Sequence, residues 1–126
     1  NNDTTWAFMT SGVEHWGLTC RESNGNESEI AKELEAGHPV ICSMRPGDFT
    51  DIGHFIILTS YNNGNVTICD PFSLENSKKS WNYSQISSQI KAVWVYSKKF
   101  IKIQPLNKSR GCIFLENGLQ LFKCIQ

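Results

Sequence analysis

Two apolar runs joined by a tight turn constrain this chain more than any other feature. Gly53-His54-Phe55-Ile56-Ile57-Leu58-Thr59 and Val66-Thr67-Ile68-Cys69-Asp70 flank Asn62-Asn63-Gly64-Asn65. β-Branched and aromatic runs of this length around an Asn-Gly turn form a β-hairpin. The first run is apolar on both of its alternating faces, so the hairpin belongs inside a sheet covered on both sides. It opens on an imidazole, His54, and closes on a carboxylate, Asp70.

Register decides whether those two side chains meet. With Asn62-Asn63-Gly64 as a three-residue loop and Gly64 left-handed, Tyr61 pairs with Asn65, Leu58 with Ile68 and Ile56 with Asp70. His54 and Asp70 then share a face as diagonal neighbours, roughly 7–8 Å apart at the backbone, a gap that side chains bridge. A four-residue loop pairs Tyr61 with Val66 instead, and that slip of one residue turns Asp70 to the other face. The three-residue loop is the expected one. A carboxylate bonded to an imidazole fixes its tautomer, and the imidazole in turn activates a serine or cysteine. The plain counterpart is a half-buried histidine at a strand start, followed far along by an Asp-Pro turn.

The thiols do not complete such a triad. The candidates are Cys20, Cys42, Cys69, Cys112 and Cys124. A catalytic thiol needs a helix N-terminus or a cationic neighbour. Cys69 is adjacent to Asp70 in the strand and so points to the other face. Cys42 lies in the apolar run Pro39-Val40-Ile41-Cys42, and Cys20 follows Leu18-Thr19 in a strand. Cys112 and Cys124 flank a hairpin pattern and can pair in an oxidising compartment; two or more reduced, buried thiols are expected in the set, which is odd in number and has no Cys-x-x-Cys spacing. His15, His38 and His54 lack metal-ligand spacing. Asp48 and Asp51 read as solvated loop carboxylates rather than calcium ligands. Neither a metal nor a cofactor is expected.

Around the hairpin the pattern predicts a helix over 5–15, with Trp6, Met9 and Val13 on one face and an end near Gly17. A short strand covers Leu18–Glu22. Asn26 with Glu29 resembles a capping box for a helix over Glu27–Ala36, with Ile30, Ala31 and Leu34 inward and Gly37 as its stop. Pro39–Met44 is a strand. Arg45–Thr50 is a loop, on its residues alone a plain surface turn. Ser73–Ser80 reads as polar loop, Ser84–Ile90 as a short helix and Ala92–Tyr96 as a last strand. Residues 99–126 read as a further hairpin around Asn117-Gly118. The 126 residues suit one domain, and the four tryptophans and seven phenylalanines suffice for its core. A formal net charge of zero offers nothing to nucleic acid or an anionic membrane. No apolar run approaches the roughly 20 residues of a spanning helix.

Gly37-His38-Pro39-Val40-Ile41, Ser43-Met44-Arg45-Pro46-Gly47-Asp48-Phe49-Thr50, Gly53-His54-Phe55-Ile56-Ile57-Leu58 and Asp70-Pro71, continued by Ser77–Trp81 and Val93–Tyr96, resemble the C-terminal part of the bacteriocin-processing-type cysteine peptidases. These are family thirty-nine of the cysteine peptidases, a papain-like group. The match is closest to the stand-alone peptidase-like branch of Gram-positive bacteria and covers about residues 4–97. The resemblance implies an α+β papain-like fold, an antiparallel sheet with short helices. His54 would be the general base and Asp70 its orienting carboxylate. The family's nucleophilic cysteine, in a Cys-Gly-Pro-like setting on a helix, and its oxyanion-hole glutamine belong upstream of residue 1. Residues 1–98 are therefore expected to be a peptidase-like domain without its nucleophile helix, and 99–126 an unassigned extension. By the same resemblance the Arg45–Thr50 loop borders the active-site cleft, and the substrate is a peptide or protein, either cut after small residues such as a double glycine or, for the stand-alone branch, another secreted or wall-associated peptide; a secreted or cell-surface bacterial setting is expected over a cytoplasmic one. Two rivals stand beside this reading. One is another papain-like amide chemistry, such as transglutaminase-type acyl transfer or a wall-peptide amidase. The other is a non-catalytic peptide-binding or structural module. A sheet face left without its helix also predicts self-association.

Overall fold

The computed structural model describes Met9 and residues 19–97. Among them are six strands and three helices: β1 (Thr19–Ser23), α1 (Glu27–Glu35), β2 (Val40–Met44), β3 (His54–Asn62), β4 (Asn65–Cys69), α2 (Leu74–Lys78), β5 (Ser80–Asn82), α3 (Tyr83–Ser87) and β6 (Ile90–Ser97). The strands form one antiparallel sheet in the order β1-β6-β2-β3-β4-β5. The class is α+β. Of the helix expected over 5–15 only Met9 is described, helical and fully buried. The remainder of that helix and the expected hairpin in 99–126 lie outside the described residues.

α1 begins where Asn26 supplies a side-chain acceptor, its Oδ1 taking the amide of Ser28 at 3.0 Å. Glu29 does not reach back to close a capping box. It turns outward to Arg21 and takes the Ser23 hydroxyl at 3.1 Å, tying the helix to β1. The helix ends in a Schellman motif. Gly37 sits at φ 83°, its amide bonds Leu34 O at 3.0 Å and the His38 amide bonds Glu33 O at 2.9 Å. Ile30 and Leu34 drop into a core with Val40, Cys42 and Met44 of β2, Ile56 and Leu58 of β3, Ile68 of β4 and Val95 of β6. Burial of each such aliphatic chain contributes about 1.5–3 kcal/mol. The other sheet face is also dry: Ile41, Ile57, Trp94 and Tyr96 are buried, and the Tyr96 hydroxyl donates to Met9 O at 2.9 Å.

The hairpin forms, but not with the expected turn. Asn62 pairs with Asn65 and Tyr61 with Val66, leaving a two-residue turn with Asn63 at φ 50° and Gly64 at φ 85°. These are the positive values that a type I′ turn requires, and its twist matches that of the strands. Tyr61–Val66 pairing alone would send Asp70 to the wrong face. A bulge at Thr59 reverses the slip: Ser60 pairs with Thr67, whereas Leu58 pairs with Ile68 and Ile57 with Cys69. Near the site the pairing is therefore the expected one, reached by another route.

A second difference lies in Ser73–Ser80, read as loop from its polar composition. The structure folds it into α2 and the start of β5. The Ser73 hydroxyl accepts the Asn76 amide at 3.0 Å, and Trp81 of β5 donates its indole N–H to Asn76 O at 3.0 Å. A five-residue helix is too short to form alone, so tertiary contacts rather than periodicity create it.

Candidate active site

The antiparallel pairings bring several strand ends to one edge of the sheet. His54 opens β3 opposite Met44, the last residue of β2, and Met44 also faces Ile90, the first residue of β6. Asp70 follows β4 directly. Gly53 sets the approach of the chain to His54 at φ 125°, where a side chain would be strained, and a Cβ there would lie 3.3 Å from Met44 O. The Thr50 hydroxyl holds this corner by accepting the amides of Ile52 at 3.2 Å and Gly53 at 2.9 Å.

His54 Nε2 lies 3.1 Å from Asp70 Oδ1, with the imidazole side chain 8% exposed and the carboxylate side chain 0%. A carboxylate only accepts, so Nε2 is the donor in this bond, and in the neutral imidazole Nδ1 keeps the lone pair. Nδ1 has no hydrogen-bond partner among the described residues. The carboxylate is anchored by more than the imidazole. Oδ1 also accepts the Phe72 amide at 3.0 Å, and Oδ2 accepts Asn76 Nδ2 at 3.2 Å. The Asp70 amide donates to the buried Ser77 hydroxyl at 2.8 Å. A buried carboxylate satisfied by three donors does not need to be neutralised to stay in the interior.

The structure thus brings the two sequence-derived residues together and adds three that sequence reasoning missed: Phe72, Asn76 and Ser77. Part of that was readable. Asp70-Pro71-Phe72-Ser73 has the composition of an Asx turn, and the Phe72 amide bond to the Asp70 side chain is that turn. Asn76 and Ser77 belong to the unforeseen helix α2, and no local signal marked them.

The thiols stand elsewhere. Cys42 pairs with Ile56, deep in the core, and burial pushes its thiol far above the usual range. Cys20 lies on β1, separated from β3 by β6 and β2, and burial pushes it up to about 11. Cys69 faces away from Asp70 and is disulfide-bonded. Among the described residues, then, no thiol is held at the imidazole. Also among the described residues, no group of three or more His, Cys, Asp or Glu side chains is placed to hold a metal ion.

The Arg45–Thr50 segment is a fixed loop. Phe49 is buried against Trp81 with ring centroids 4.7 Å apart. Asp48 accepts Gln89 Nε2 at 2.9 Å and Gln85 Nε2 at 3.0 Å, and these bonds hold its carboxyl below the ordinary range. At the same end of the sheet, a cavity of about 180 Å³ is bounded by the end of β1 and the turn after it, by α3 and by the start of β6, with Ser23, Gly25, Tyr83, Lys91 and Val93 among its lining residues. No helix among the described residues is long and apolar enough to cross a membrane.

The described residues thus place an anchored His54–Asp70 pair at one end of the antiparallel sheet. The sequence model described as the Peptidase_C39 like family matches residues 4–101, and the chain belongs to that family. A search of curated proteins found no match.

Proposed function

We propose that this chain carries the base and the orienting carboxylate of a papain-like cysteine peptidase, and that the thiol comes from a segment outside residues 19–97. The observation that carries the reading is the placement of His54: Nε2 meets a buried carboxylate that two further donors anchor, while Nδ1 has no hydrogen-bond partner among the described residues. Family membership supports the same chemistry. In the reaction, His54 Nδ1 takes the proton of the thiol, and the thiolate attacks the peptide carbonyl. The imidazolium then gives that proton to the leaving amine as the C–N bond breaks. Water, deprotonated by His54, hydrolyses the thioester and returns the thiol. Asp70 stabilises the imidazolium and keeps Nδ1 aimed at the reacting atoms. A peptide or protein is the substrate class.

A second reading, a peptide-binding module without turnover, is favoured by one observation: the two free thiols among the described residues are held back by burial. Thiol labelling near neutral pH separates the two. Residues 1–126 are compared with the same protein extended upstream of Asn1, each with and without His54→Ala. A fast-labelling cysteine confined to the extended protein, and slowed by His54→Ala, is the expected result. Labelling that ignores His54 in both would refute the peptidase reading and leave the binding module.

A further inference from the structure

We propose that Gln89 is a positioning residue for His54, pinning the stretch of chain that delivers the imidazole to Asp70. The inference rests on the reading of those two residues as base and orienting carboxylate. Adjacent antiparallel strands can be joined by as few as two residues. β2 and β3 are adjacent, and Met44 at the end of one faces His54 at the start of the other, yet the chain between them runs from Arg45 to Gly53. The extra length carries it back past the end of β2 to β6, where Gln89 stands just before Ile90, the other partner of Met44.

Gln89 grips this connection at two points. Its main-chain oxygen accepts the Arg45 amide at 2.6 Å. Its side-chain Oε1 accepts the Asp48 amide at 2.7 Å, and its Nε2 donates to Asp48 Oδ2 at 2.9 Å. Between the two points Gly47 passes so close to the Gln89 amide that a Cβ would collide with it. From there a relay of hydrogen bonds leads to the imidazole. The Gly47 amide donates to Thr50 O at 2.9 Å, and the Thr50 hydroxyl accepts the Gly53 amide at 2.9 Å. Gly53, at φ 125°, leads directly into His54. Ordering an exposed connection in this way costs conformational entropy that a short turn would avoid. What it secures is one placement of the start of β3, and a base must be held within about 0.5 Å of its working position. Without the Gln89 side chain the connection samples several paths, the start of β3 moves with it, and the bond from Nε2 to Asp70 opens more often. Nδ1 then loses its fixed direction.

The test reads the imidazole directly and needs no turnover. In the 126-residue chain, the ¹⁵N shifts of the His54 ring and the solvent exchange of its Nε2 proton are measured for wild type, Gln89→Ala, Gln89→Glu, and Gln89→Glu combined with Asp48→Asn. Gln89→Ala should speed Nε2 exchange about fivefold and draw the two ring nitrogen shifts together. Gln89→Glu keeps an acceptor for the Asp48 amide but sets two carboxylates against each other, so at neutral pH it should act like Gln89→Ala. The combined variant returns a donor to that contact with the polarity reversed, and it should restore the wild-type values. Amide exchange at Ile56 and Ile57, deeper in β3, is followed alongside and should stay within about twofold of wild type throughout. An equal acceleration of those amides would mean that the fold had merely loosened, and it would overturn the proposal. So would Nε2 exchange in Gln89→Ala within about twofold of wild type, or a combined variant that restores nothing. Loss of the peptidase reading looks different: the effect of Gln89 on the ring would persist, while no His54-dependent thiol is found in the protein extended upstream of Asn1.

Discussion

Replacing Ser77 by alanine should destabilise the protein out of proportion to the single oxygen removed. Ser77 is 2% exposed. Its hydroxyl accepts the Asp70 amide at 2.8 Å and donates its one proton to Ser73 O at 3.0 Å or Asp70 O at 3.2 Å. No ladder partner stands ready to replace it, because Asp70 lies just past the end of β4. The substitution therefore removes a bond and also strands a buried N–H. A net bond contributes about 1 kcal/mol and a stranded buried donor costs about 1–3, so about 2 kcal/mol is the expected loss. For a chain of this length that corresponds to a fall in Tm of about 8 °C. Ser73→Ala serves as the comparison. It deletes only the half-exposed cap of α2, at about 1 kcal/mol. Urea unfolding followed by tryptophan fluorescence gives both values, and an unchanged m keeps them comparable. The same Ser77→Ala sample should show the His54 ring nitrogens shifted, since the Asp70 main chain has lost its tether. A loss below about 0.5 kcal/mol with unshifted ring nitrogens would refute the claim that α2 holds the carboxylate in place.

Further outcomes follow from the same geometry. A Cβ at Gly47 would run into the Gln89 amide, which accepts the Asp48 amide at 2.7 Å and donates to Asp48 Oδ2 at 2.9 Å. Gly47→Ala and Gln89→Ala should each cost about 1 kcal/mol and the double variant little more than either, a non-additivity that urea unfolding of the three variants detects. Cys20, pushed up to about 11 by burial, should alkylate slowly at neutral pH, with a rate that climbs tenfold per pH unit until it levels near that value. Because its folded value lies above its ordinary 9.0, the folded state holds the proton more tightly. Stability should thus be intact below that ordinary value and decline as pH rises from it towards the folded one, a decline that Cys20→Ala should lessen. Glu33 runs the other way. His38, first, and then Arg21 hold its carboxyl below the usual range, so its contribution is present above pH 4.5 and is lost as acid is added. Glu33→Gln should flatten the acid limb of the stability curve while leaving the thiol reactivity of the protein unchanged.

How much of this was legible in the chain depends on the length scale of the cause. Burial of Ile56, Ile57 and Leu58 on both faces of β3 follows from an uninterrupted apolar run, whereas the shared face of His54 and Asp70 follows from the Leu58–Ile68 pairing, which the bulge at Thr59 and not the expected three-residue loop produces. The stop at Gly37 is local chemistry, and so is Asn26 as a cap. Glu29 shows where local reading ends: a capping box and a salt link to Arg21 compete for one carboxylate, and only the position of β1 decides between them. The bulge at Thr59 was hidden for a similar reason. The Asn63-Gly64 turn and the pairing of Leu58 with Ile68 are separately favourable and differ by one residue, so the mismatch must be absorbed somewhere between them. α2 and β5 leave no periodic trace, since Ser73–Asn82 is mostly polar and is organised by Trp81 and Ser77 within it and by the Asp70 carboxylate from outside.

The bulge carries a consequence for how this hairpin can change over time. Because Thr59 has no opposite number on β4, the hairpin holds one spare residue between its tip and its imidazole. Loss of a residue at that point would regularise the ladder while leaving Asn63-Gly64 and the His54–Asp70 pairing as they are. Loss of a residue between Phe55 and Leu58 would invert the face of the imidazole. Length variation in β3 is therefore tolerable on one side of Leu58 and lethal to the site on the other. Lineages descending from such a chain should record insertions and deletions at Thr59 and towards the tip, with the stretch from His54 to Leu58 kept constant in length.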